Sequence, residues 1–223
     1  SPLIWTTEMA TRVFSTSPYL ALLNDSANQP PIVFATMDPN NKATFMILSE
    51  NNLRCVSNSN ASWGIANATI GLTTGKWYWE ALSLSGVSAQ GVGITVPGVN
   101  MNQYIGGDAF AWGYFPSGAY WTGGVNQGAS GGYTLNSILG FALDTAGNFD
   151  IYVDGVLGVS ITHGFTGPIF PAISDGSTGS VCDFMTNFGQ DSSFNGRVAA
   201  QGNTDSFGKG DFYYVPPVGY KTI

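Results

Sequence analysis

The sequence predicts an all-β protein, folded as an antiparallel two-sheet β-sandwich that carries an extended N-terminal arm. Thirty Gly and eleven Pro among 223 residues provide turns at short intervals along the chain. Between these turns, apolar and polar residues alternate with the period of two that a half-buried strand requires. No segment combines the roughly 3.6-residue periodicity of an amphipathic helix with a cap at both ends. Together these observations favour a sandwich of about a dozen short strands.

The clearest strands lie in residues 141–159. Ala146–Gly147 and Asp154–Gly155 each provide the positive φ that a tight hairpin turn needs. Between the two turns one face of the chain is polar and the other is apolar. The apolar face carries Phe149, Ile151 and Val153. This pattern predicts a β-meander of three strands.

Other strands are predicted on both sides of this meander. In the segment 76–81, Trp77 and Trp79 face one way, and Tyr78 and Glu80 face the other. The remaining segments share short length, apolar alternation and flanking turn residues. They are residues 45–48, 52–56, 91–96, 110–115, 119–122, 138–143, 169–173 and 181–185.

Residues 1–35 differ from the regular pattern that begins at Thr36. Four prolines break them into short apolar pieces. We therefore divide the chain into an arm over residues 1–35 and a sandwich domain over residues 36–223. The arm either packs on its own domain as extra edge strands or anchors the domain to another protein. Residues 189–210 have little apolar content, which is typical of a functional or disordered loop.

The charge composition argues against nucleic acid as a partner. The net charge is −7 and the lysines are scattered, whereas binding to phosphates requires clustered Lys and Arg. Membrane insertion is not expected either, because the sequence has no run of about eighteen apolar residues. Cys55 and Cys182 are either two buried thiols or a bridge between the first and last strands.

Six short motifs follow one another along residues 75–189. They are Gly75–Glu80, Gly91–Ile94, Trp112–Gly118, Leu139–Asp144, Tyr152–Gly155 and Asn187–Gly189. In this order the motifs resemble those of the SPRY domain. The resemblance implies two antiparallel sheets packed face to face, close to the concanavalin-like jelly roll, with ligands bound by loops at one edge. It implies no catalytic residues and no cofactor, because the family shares none.

The C-terminal segment extends the resemblance. Asn187–Phe194, Gly210–Tyr214 and Pro216–Tyr220 are similar to the C-terminal part of SPRY-like domains in structural proteins of tailed bacteriophages. This similarity implies a non-enzymatic protein on the surface of the virion, in a fibre, a spike or a capsid decoration. The resemblance leaves residues 1–35 unmatched, and we expect them to attach a homo-oligomer of this chain to other virion proteins. Its external partner would be a glycan or a protein receptor of the host surface.

An aromatic cluster is the candidate binding site. Its members are Tyr104, Trp112, Tyr114, Tyr120 and Trp121. Aromatic rings stack on sugars and anchor protein interfaces at low entropic cost. The alternation of the predicted strands places Trp112 and Tyr114 on one face, and Tyr120 opposite Trp121. We therefore expect part of the cluster to belong to the core and part to be exposed.

A polar loop near the C-terminus is a candidate cation site. Asn203, Asp205 and Asp211 stand at positions that supply oxygen ligands in an EF-hand-like calcium loop. Two further ligand positions do not fit: Phe207 has no oxygen to offer at position 5, and Tyr214 stands at position 12, where a bidentate Glu belongs. The alternative is a loop whose polar side chains close it through hydrogen bonds to its own backbone.

Two alternative functions remain for the sandwich. A carbohydrate-active enzyme needs two carboxylates that face each other across a cleft. The carboxylates on or beside predicted strands are not aligned on one strand face, so we expect solvated side chains and turn formers. The second alternative is a purely architectural subunit of the virion. The carboxylates on or beside predicted strands are Glu80, Asp144, Asp150 and Asp154.

The only histidine, His163, is expected on a surface loop.

Overall fold

The computed structural model describes residues 33–58, 63–86, 88–175 and 181–223. The segment from Phe34 to Ile223 is one compact unit, and the predicted arm over residues 1–35 lies almost entirely outside the described residues. The described residues form fifteen strands and no helix, and therefore no helix that could cross a membrane. The first eight strands are β1 (Met37–Lys42), β2 (Met46–Ser49), β3 (Arg54–Ser57), β4 (Gly64–Ala68), β5 (Lys76–Ser83), β6 (Gln90–Thr95), β7 (Ala111–Tyr114) and β8 (Ala119–Thr122). The others are β9 (Val125–Ala129), β10 (Ile138–Asp144), β11 (Asn148–Val153), β12 (Val156–Thr162), β13 (Phe170–Asp175), β14 (Asp183–Asn187) and β15 (Lys221–Thr222).

The strands form two sheets, as the sequence predicts. The first sheet has seven strands in the order β1-β4-β13-β6-β7-β8-β9. The second has eight strands: β12-β11-β10-β5-β14-β3-β2 follow one another, and β15 pairs with β5 beside this path. Neighbouring strands are antiparallel, except that β15 runs parallel to β5. The predicted all-β sandwich of two sheets is confirmed.

The core lies between the two sheets, against the inward face of β5. Trp79 stacks on both Phe141 and Phe149, with ring centroids 5.2 and 5.9 Å away. Each of the three side chains is at most 3% exposed. Stacked aromatic pairs add about 0.5–1.5 kcal/mol each beyond the burial of their area. This cluster joins β5 to the meander strands β10 and β11.

The predicted meander consists of β10, β11 and β12. Asp154 and Gly155 both have positive φ, 50° and 81°, as a two-residue hairpin turn requires. The Asp154 carboxylate also accepts hydrogen bonds from the Ile138 N–H at 2.8 Å and the Ser137 hydroxyl at 3.0 Å. The turn after β11 is therefore tied to the start of β10.

The hairpin of β8 and β9 was not predicted from the sequence. Gly123 and Gly124 have φ of 60° and 74° and form its two-residue turn. The glycine pair is therefore a turn signal that sequence reasoning could have used. The strand β9 itself is mostly exposed and has no apolar alternation, so its own residues do not indicate a strand.

The outer face of the second sheet is covered by the C-terminal segment 188–223. β15 pairs with residues 77–78 of β5, next to the stretch 80–83 that pairs with β14. Phe194 and Phe212 pack on the outward side chains of β5 and β10. The part 189–210, for which the sequence predicts a functional or disordered loop, is thus packed against the sheet.

On the outer face of the first sheet, three glycines make room for one side chain. Gly91 and Gly93 of β6 and Gly113 of β7 surround Ile105, which is fully buried. A methyl group on Gly91 or Gly113 would lie 2.7 Å from Ile105 Cγ2, and one on Gly93 would overlap the backbone of β7. The three glycines therefore let the loop 96–110 pack closely on the sheet.

Both cysteines are buried free thiols. Of the two alternatives that the sequence leaves open, the structure shows the thiols and not the bridge. Burial raises the pKa of Cys182 to about 12 and that of Cys55 well above its ordinary value. Both side chains therefore stay protonated at neutral pH and act as small apolar groups.

Candidate functional site

The predicted aromatic cluster is divided between the two faces of the first sheet. Tyr114 is fully buried, and its hydroxyl donates to the carbonyl oxygens of Ser130, at 3.0 Å, and Gly131. Trp112 and Tyr120 stack with ring centroids 6.4 Å apart and pack against the core. These three members of the cluster contribute to packing between the sheets, and the Tyr114 ring has no exposed surface for a ligand.

Tyr104 and Trp121 lie on the outer face, where a residue outside the predicted cluster joins them. The Tyr104 ring meets Trp121 edge to face with centroids 6.2 Å apart, and it meets Trp63 in the same way at 5.0 Å. Trp63 is 41% exposed, and the other two are partly exposed. We call Trp63, Tyr104 and Trp121 the outer aromatic patch. Sequence reasoning missed Trp63 because it is far from Tyr104 in the chain.

The loop 96–110 carries Tyr104 of the outer aromatic patch and is bonded to the turn that follows the strand of Trp121. The Asp108 carboxylate accepts hydrogen bonds from the N–H groups of Asn100 and Phe110, both at 2.9 Å. Backbone carbonyls of the loop accept the N–H groups of Gly123–Gly124 at 2.8 and 2.9 Å. The loop is thus bonded within itself and to the turn between β8 and β9. A surface fixed in this way loses little conformational entropy when it binds a partner.

The surface around the patch carries almost no charge. Asp108 is the only charged side chain between residues 97 and 131, a segment rich in Gly, Asn, Ser and aromatic residues. Phe110 adds a further aromatic side chain that is 46% exposed. Rigid aromatic side chains among small polar ones are typical of surfaces that bind proteins. The absence of Lys and Arg from this segment does not suit contact with phosphates.

Glu80 is fully buried, although the sequence predicts that its face of β5 is solvated. Its Oε1 accepts hydrogen bonds from the Tyr78 hydroxyl at 3.1 Å and the Tyr214 N–H at 2.8 Å. Its Oε2 accepts them from Asn187 Nδ2 at 3.2 Å and the Tyr213 N–H at 2.9 Å. Burial raises the pKa of Glu80 to about 7, although the four hydrogen bonds act to lower it. Glu80 thus fastens the C-terminal segment to β5.

The other candidate carboxylates also bond to neighbouring groups. Asp144 accepts the N–H of Ala146 at 3.0 Å, within the turn after β10. Asp150 accepts a hydrogen bond from the hydroxyl of Ser160 on the adjacent strand. Asp154 lies in the turn between β11 and β12, and its carboxylate accepts the N–H of Ile138 at the start of β10 at 2.8 Å. These side chains act as turn formers and cross-strand partners, as the sequence predicts for Asp144 and Asp154.

His163 is buried and not on the surface, which corrects the prediction from the sequence. Its Nδ1 accepts the Phe165 N–H at 3.0 Å, so Nε2 carries the proton and donates to the Asp144 carbonyl oxygen at 3.0 Å. Its own carbonyl oxygen accepts the indole N–H of Trp112 at 3.1 Å. The side chain therefore links the end of β12 to the turn after β10, through contacts that its position in the sequence does not reveal.

Two of the three residues of the candidate cation site, Asn203 and Asp205, use their side-chain polar atoms within the fold. Asp205 accepts two backbone N–H groups of its own loop at 2.9 Å, and the N–H and hydroxyl of Thr222 at 2.8 Å. Burial alone would raise the pKa of Asp205, but these hydrogen bonds lower it. Asn203 donates to a backbone carbonyl at 2.8 Å, whereas Asp211 has a side-chain oxygen, Oδ1, that is buried without a hydrogen-bond partner. The described part of the chain contains no group of three or more His, Cys, Asp or Glu that could hold a metal.

Comparison with known proteins identifies the fold. No model of a known protein family matches the sequence, and no curated protein matches it. The SPRY domain of human HERC1 superposes with a TM-score of 0.60 at 16% identity, over 67% of this chain and 96% of that one. The PSpry domain of TRIM65 gives 0.54 at 16% identity, over 69% and 89% of the two chains. The protein has the fold of a SPRY domain.

A third structure, stonustoxin, gives a TM-score of 0.55 at 20% identity, over 69% of this chain and 27% of that one. Likeness at these identities shows the fold, and the SPRY-like fold implied by the sequence motifs is confirmed. The motif Gly75–Glu80 leads into β5, Leu139–Asp144 lies on β10, and Tyr152–Gly155 includes the turn after β11. These three motifs thus mark adjacent strands in the second sheet of the SPRY-like fold.

Proposed function

We propose that the protein is a non-enzymatic interaction module that binds a receptor on the host surface through the outer aromatic patch. The observation that carries the proposal is the patch itself: aromatic rings in edge-to-face contact, held by a hydrogen-bonded loop on an almost uncharged surface. Trp and Tyr are enriched at the energetic centres of protein interfaces. A protein receptor suits this surface best, and a glycan that stacks on the exposed Trp63 ring is the second candidate.

The carboxylates support a non-enzymatic role. A glycosidase on such a sandwich would need two carboxyl groups about 5–9.5 Å apart across an open cleft. Glu80 is covered by the C-terminal segment, and its four hydrogen bonds fasten that segment. Asp150 and Asp154 are bonded to neighbouring strands. A carbohydrate-active enzyme would therefore have to free these side chains from bonds that stabilise the fold.

We place the module on a tailed-phage virion because of the resemblance of its C-terminal segment to phage structural proteins. In this proposal residues 1–35 attach it to other virion proteins, and the particle carries it as a homo-oligomer. The outer aromatic patch and the C-terminal segment cover opposite sheets of the sandwich. This arrangement would allow one side to face the particle while the other faces the host.

Binding of the purified full chain to host cells tests the proposal. The double variant Trp63→Ala/Trp121→Ala should bind at least about tenfold more weakly, because central aromatic residues carry most of the binding energy of an interface. Phe207→Ala is the matched control, since this ring is 59% exposed on the C-terminal segment. Its binding should equal that of the wild type, and circular dichroism should show all variants folded.

Treatment of the cells distinguishes the two classes of receptor. Protease digestion should abolish binding of the wild type, whereas periodate oxidation of glycans should leave it unchanged. The opposite result would assign a glycan to the patch. If the double variant binds as well as the wild type, the patch is not the binding surface. If intact virions contain the chain but the purified chain binds no host cell, the role is architectural.

A further inference from the structure

A second candidate site lies on the outer side of the second sheet, away from the outer aromatic patch. It is a pocket of about 240 Å³. Its lining consists of Tyr78, Tyr152, Gly155, Tyr214, Val215 and Pro217. We call it the tyrosine pocket. An engineered cavity of about 150 Å³ binds benzene, so the pocket has room for a small organic group.

The tyrosine pocket forms where the C-terminal segment crosses the turn between β11 and β12. Gly155 allows this crossing, because a methyl group there would lie 2.9 Å from Tyr214 Cε1. Tyr78 is 2% exposed, whereas Tyr152 and Tyr214 are half-buried. The carboxylate of Glu80 lies next to the lining, since it accepts the Tyr78 hydroxyl at 3.1 Å and the Tyr214 N–H at 2.8 Å.

The charged groups that act on the pocket are negative. Burial, and after it the charge of Asp150, raises the pKa of Tyr152. Burial, and after it the charge of Asp154, raises the pKa of Tyr214. None of the lining residues is basic. Asp150 and Asp154 thus lie near the two half-buried tyrosines, and a bound cation would have no positive side chain of the lining to repel it.

Aromatic rings on the same side of the protein contact cations of the chain itself. Lys76 Nζ lies 5.6 Å from the centroid of the Tyr220 ring. Lys221 Nζ lies 5.6 Å from the centroid of Trp77 and 5.9 Å from that of Phe207. Cations are attracted to the negative faces of aromatic rings at such distances. The tyrosine pocket offers the half-buried rings of Tyr152 and Tyr214 to a ligand, and neither lysine is among its lining residues.

We propose that the tyrosine pocket binds an alkylammonium head group, of the kind that choline and methylated lysine carry. Such a cation has apolar methyl groups that fit a pocket lined by rings, and its charge is attracted by the ring faces. The charges of Asp150 and Asp154 near the lining add to this attraction. A neutral group of the same shape would gain only the contact with the rings. This binding does not depend on the outer aromatic patch or on its partner.

Titration of the full chain with choline, followed by NMR, tests this proposal. The matched neutral ligand is 3,3-dimethyl-1-butanol, which replaces the charged nitrogen of choline by carbon. Choline should bind saturably in the millimolar range and at least about fivefold more tightly than the neutral ligand. A peptide with trimethyl-lysine and vesicles of phosphatidylcholine, compared with free choline, show which source of the head group binds most tightly.

Variants of the lining residues test whether the tyrosine rings themselves bind choline. Tyr214→Leu should weaken choline binding about tenfold, whereas Tyr214→Phe keeps the ring and should stay within about twofold. Tyr152→Leu, on the half-buried outer face of β11, is the second test if Tyr214→Leu disturbs the C-terminal segment. Tyr104→Leu in the outer aromatic patch should have no effect. Equal binding of choline and the neutral ligand, or unchanged binding by both leucine variants, overturns the proposal.

Discussion

Replacing Glu80 by glutamine should remove a pH dependence of stability that one buried carboxylate creates. The pKa of Glu80 is raised from an ordinary 4.5 to about 7 in the folded protein, mainly by burial. The folded state therefore holds a proton at pH values where the unfolded chain has lost it. Folding takes up this proton between pH 4.5 and about 7, so the free energy of unfolding falls as the pH rises through that window.

The size of the effect follows from the two pKa values. Because one pKa unit corresponds to about 1.4 kcal/mol, the contribution of Glu80 falls by about 3 kcal/mol between about pH 4 and about pH 8. Glutamine does not titrate, so Glu80→Gln lacks this pH dependence. Its amide nitrogen replaces an oxygen that accepts two hydrogen bonds, so the variant should be less stable than the wild type at about pH 4. At about pH 8 the free energy of unfolding of the variant, relative to that of the wild type, should be about 3 kcal/mol higher than it is at about pH 4.

Urea unfolding at a series of pH values, followed by tryptophan fluorescence, measures this difference. Glu50→Gln is the matched control, because hydrogen bonds to Arg197, and next to Asn195, lower the pKa of Glu50 to about 2. Its contribution is lost only as the pH falls from 4.5 towards 2, so its difference from the wild type should stay constant above about pH 5. A difference in unfolding free energy between Glu80→Gln and the wild type that stays constant from about pH 4 to about pH 8, or that changes in favour of the wild type as the pH rises, would refute the reasoning.

Three further substitutions test other parts of the fold. Gly93→Ala should lower the free energy of unfolding in urea by at least about 1–3 kcal/mol, because the new methyl group overlaps the backbone of β7. Asp205→Ala should cost about 1–3 kcal/mol and speed amide exchange at Thr222, which loses its acceptor. Trp79→Ala should cost about 3–5 kcal/mol by calorimetry, since it empties the centre of the core. Unfolding free energies equal to that of the wild type would contradict these assignments.

Local signals in the sequence were sufficient for most of the fold. In the meander, the turn pair Asp154–Gly155 and the alternation around Phe149 and Ile151 specify the strands and their inward face without reference to the rest of the chain. The same holds for Trp79, whose face of β5 is inward as predicted. In these segments the turn geometry and the burial pattern indicate the same structure, so local reasoning suffices.

The candidate sites depended on contacts between distant segments, which one sequence does not reveal. Glu80 stands on a face that would be solvated if residues 188–223 did not cover it. Trp63 and Tyr104 meet on the outer face of the first sheet although no motif connects them. His163 is buried where it forms hydrogen bonds to Trp112 and Asp144, which precede it by many residues in the chain. Periodicity predicts which side chains share a face, but it does not show what covers that face.

Amide hydrogen exchange of the full chain, with and without host cell envelopes, tests most directly that the protein acts through the outer aromatic patch. Bound envelopes should slow exchange in the loop 96–110, in β8 and next to Trp63, while the C-terminal segment 188–223 should exchange as in the free protein. Protection confined to the C-terminal segment, or the same exchange at every described residue with and without envelopes, would contradict the account.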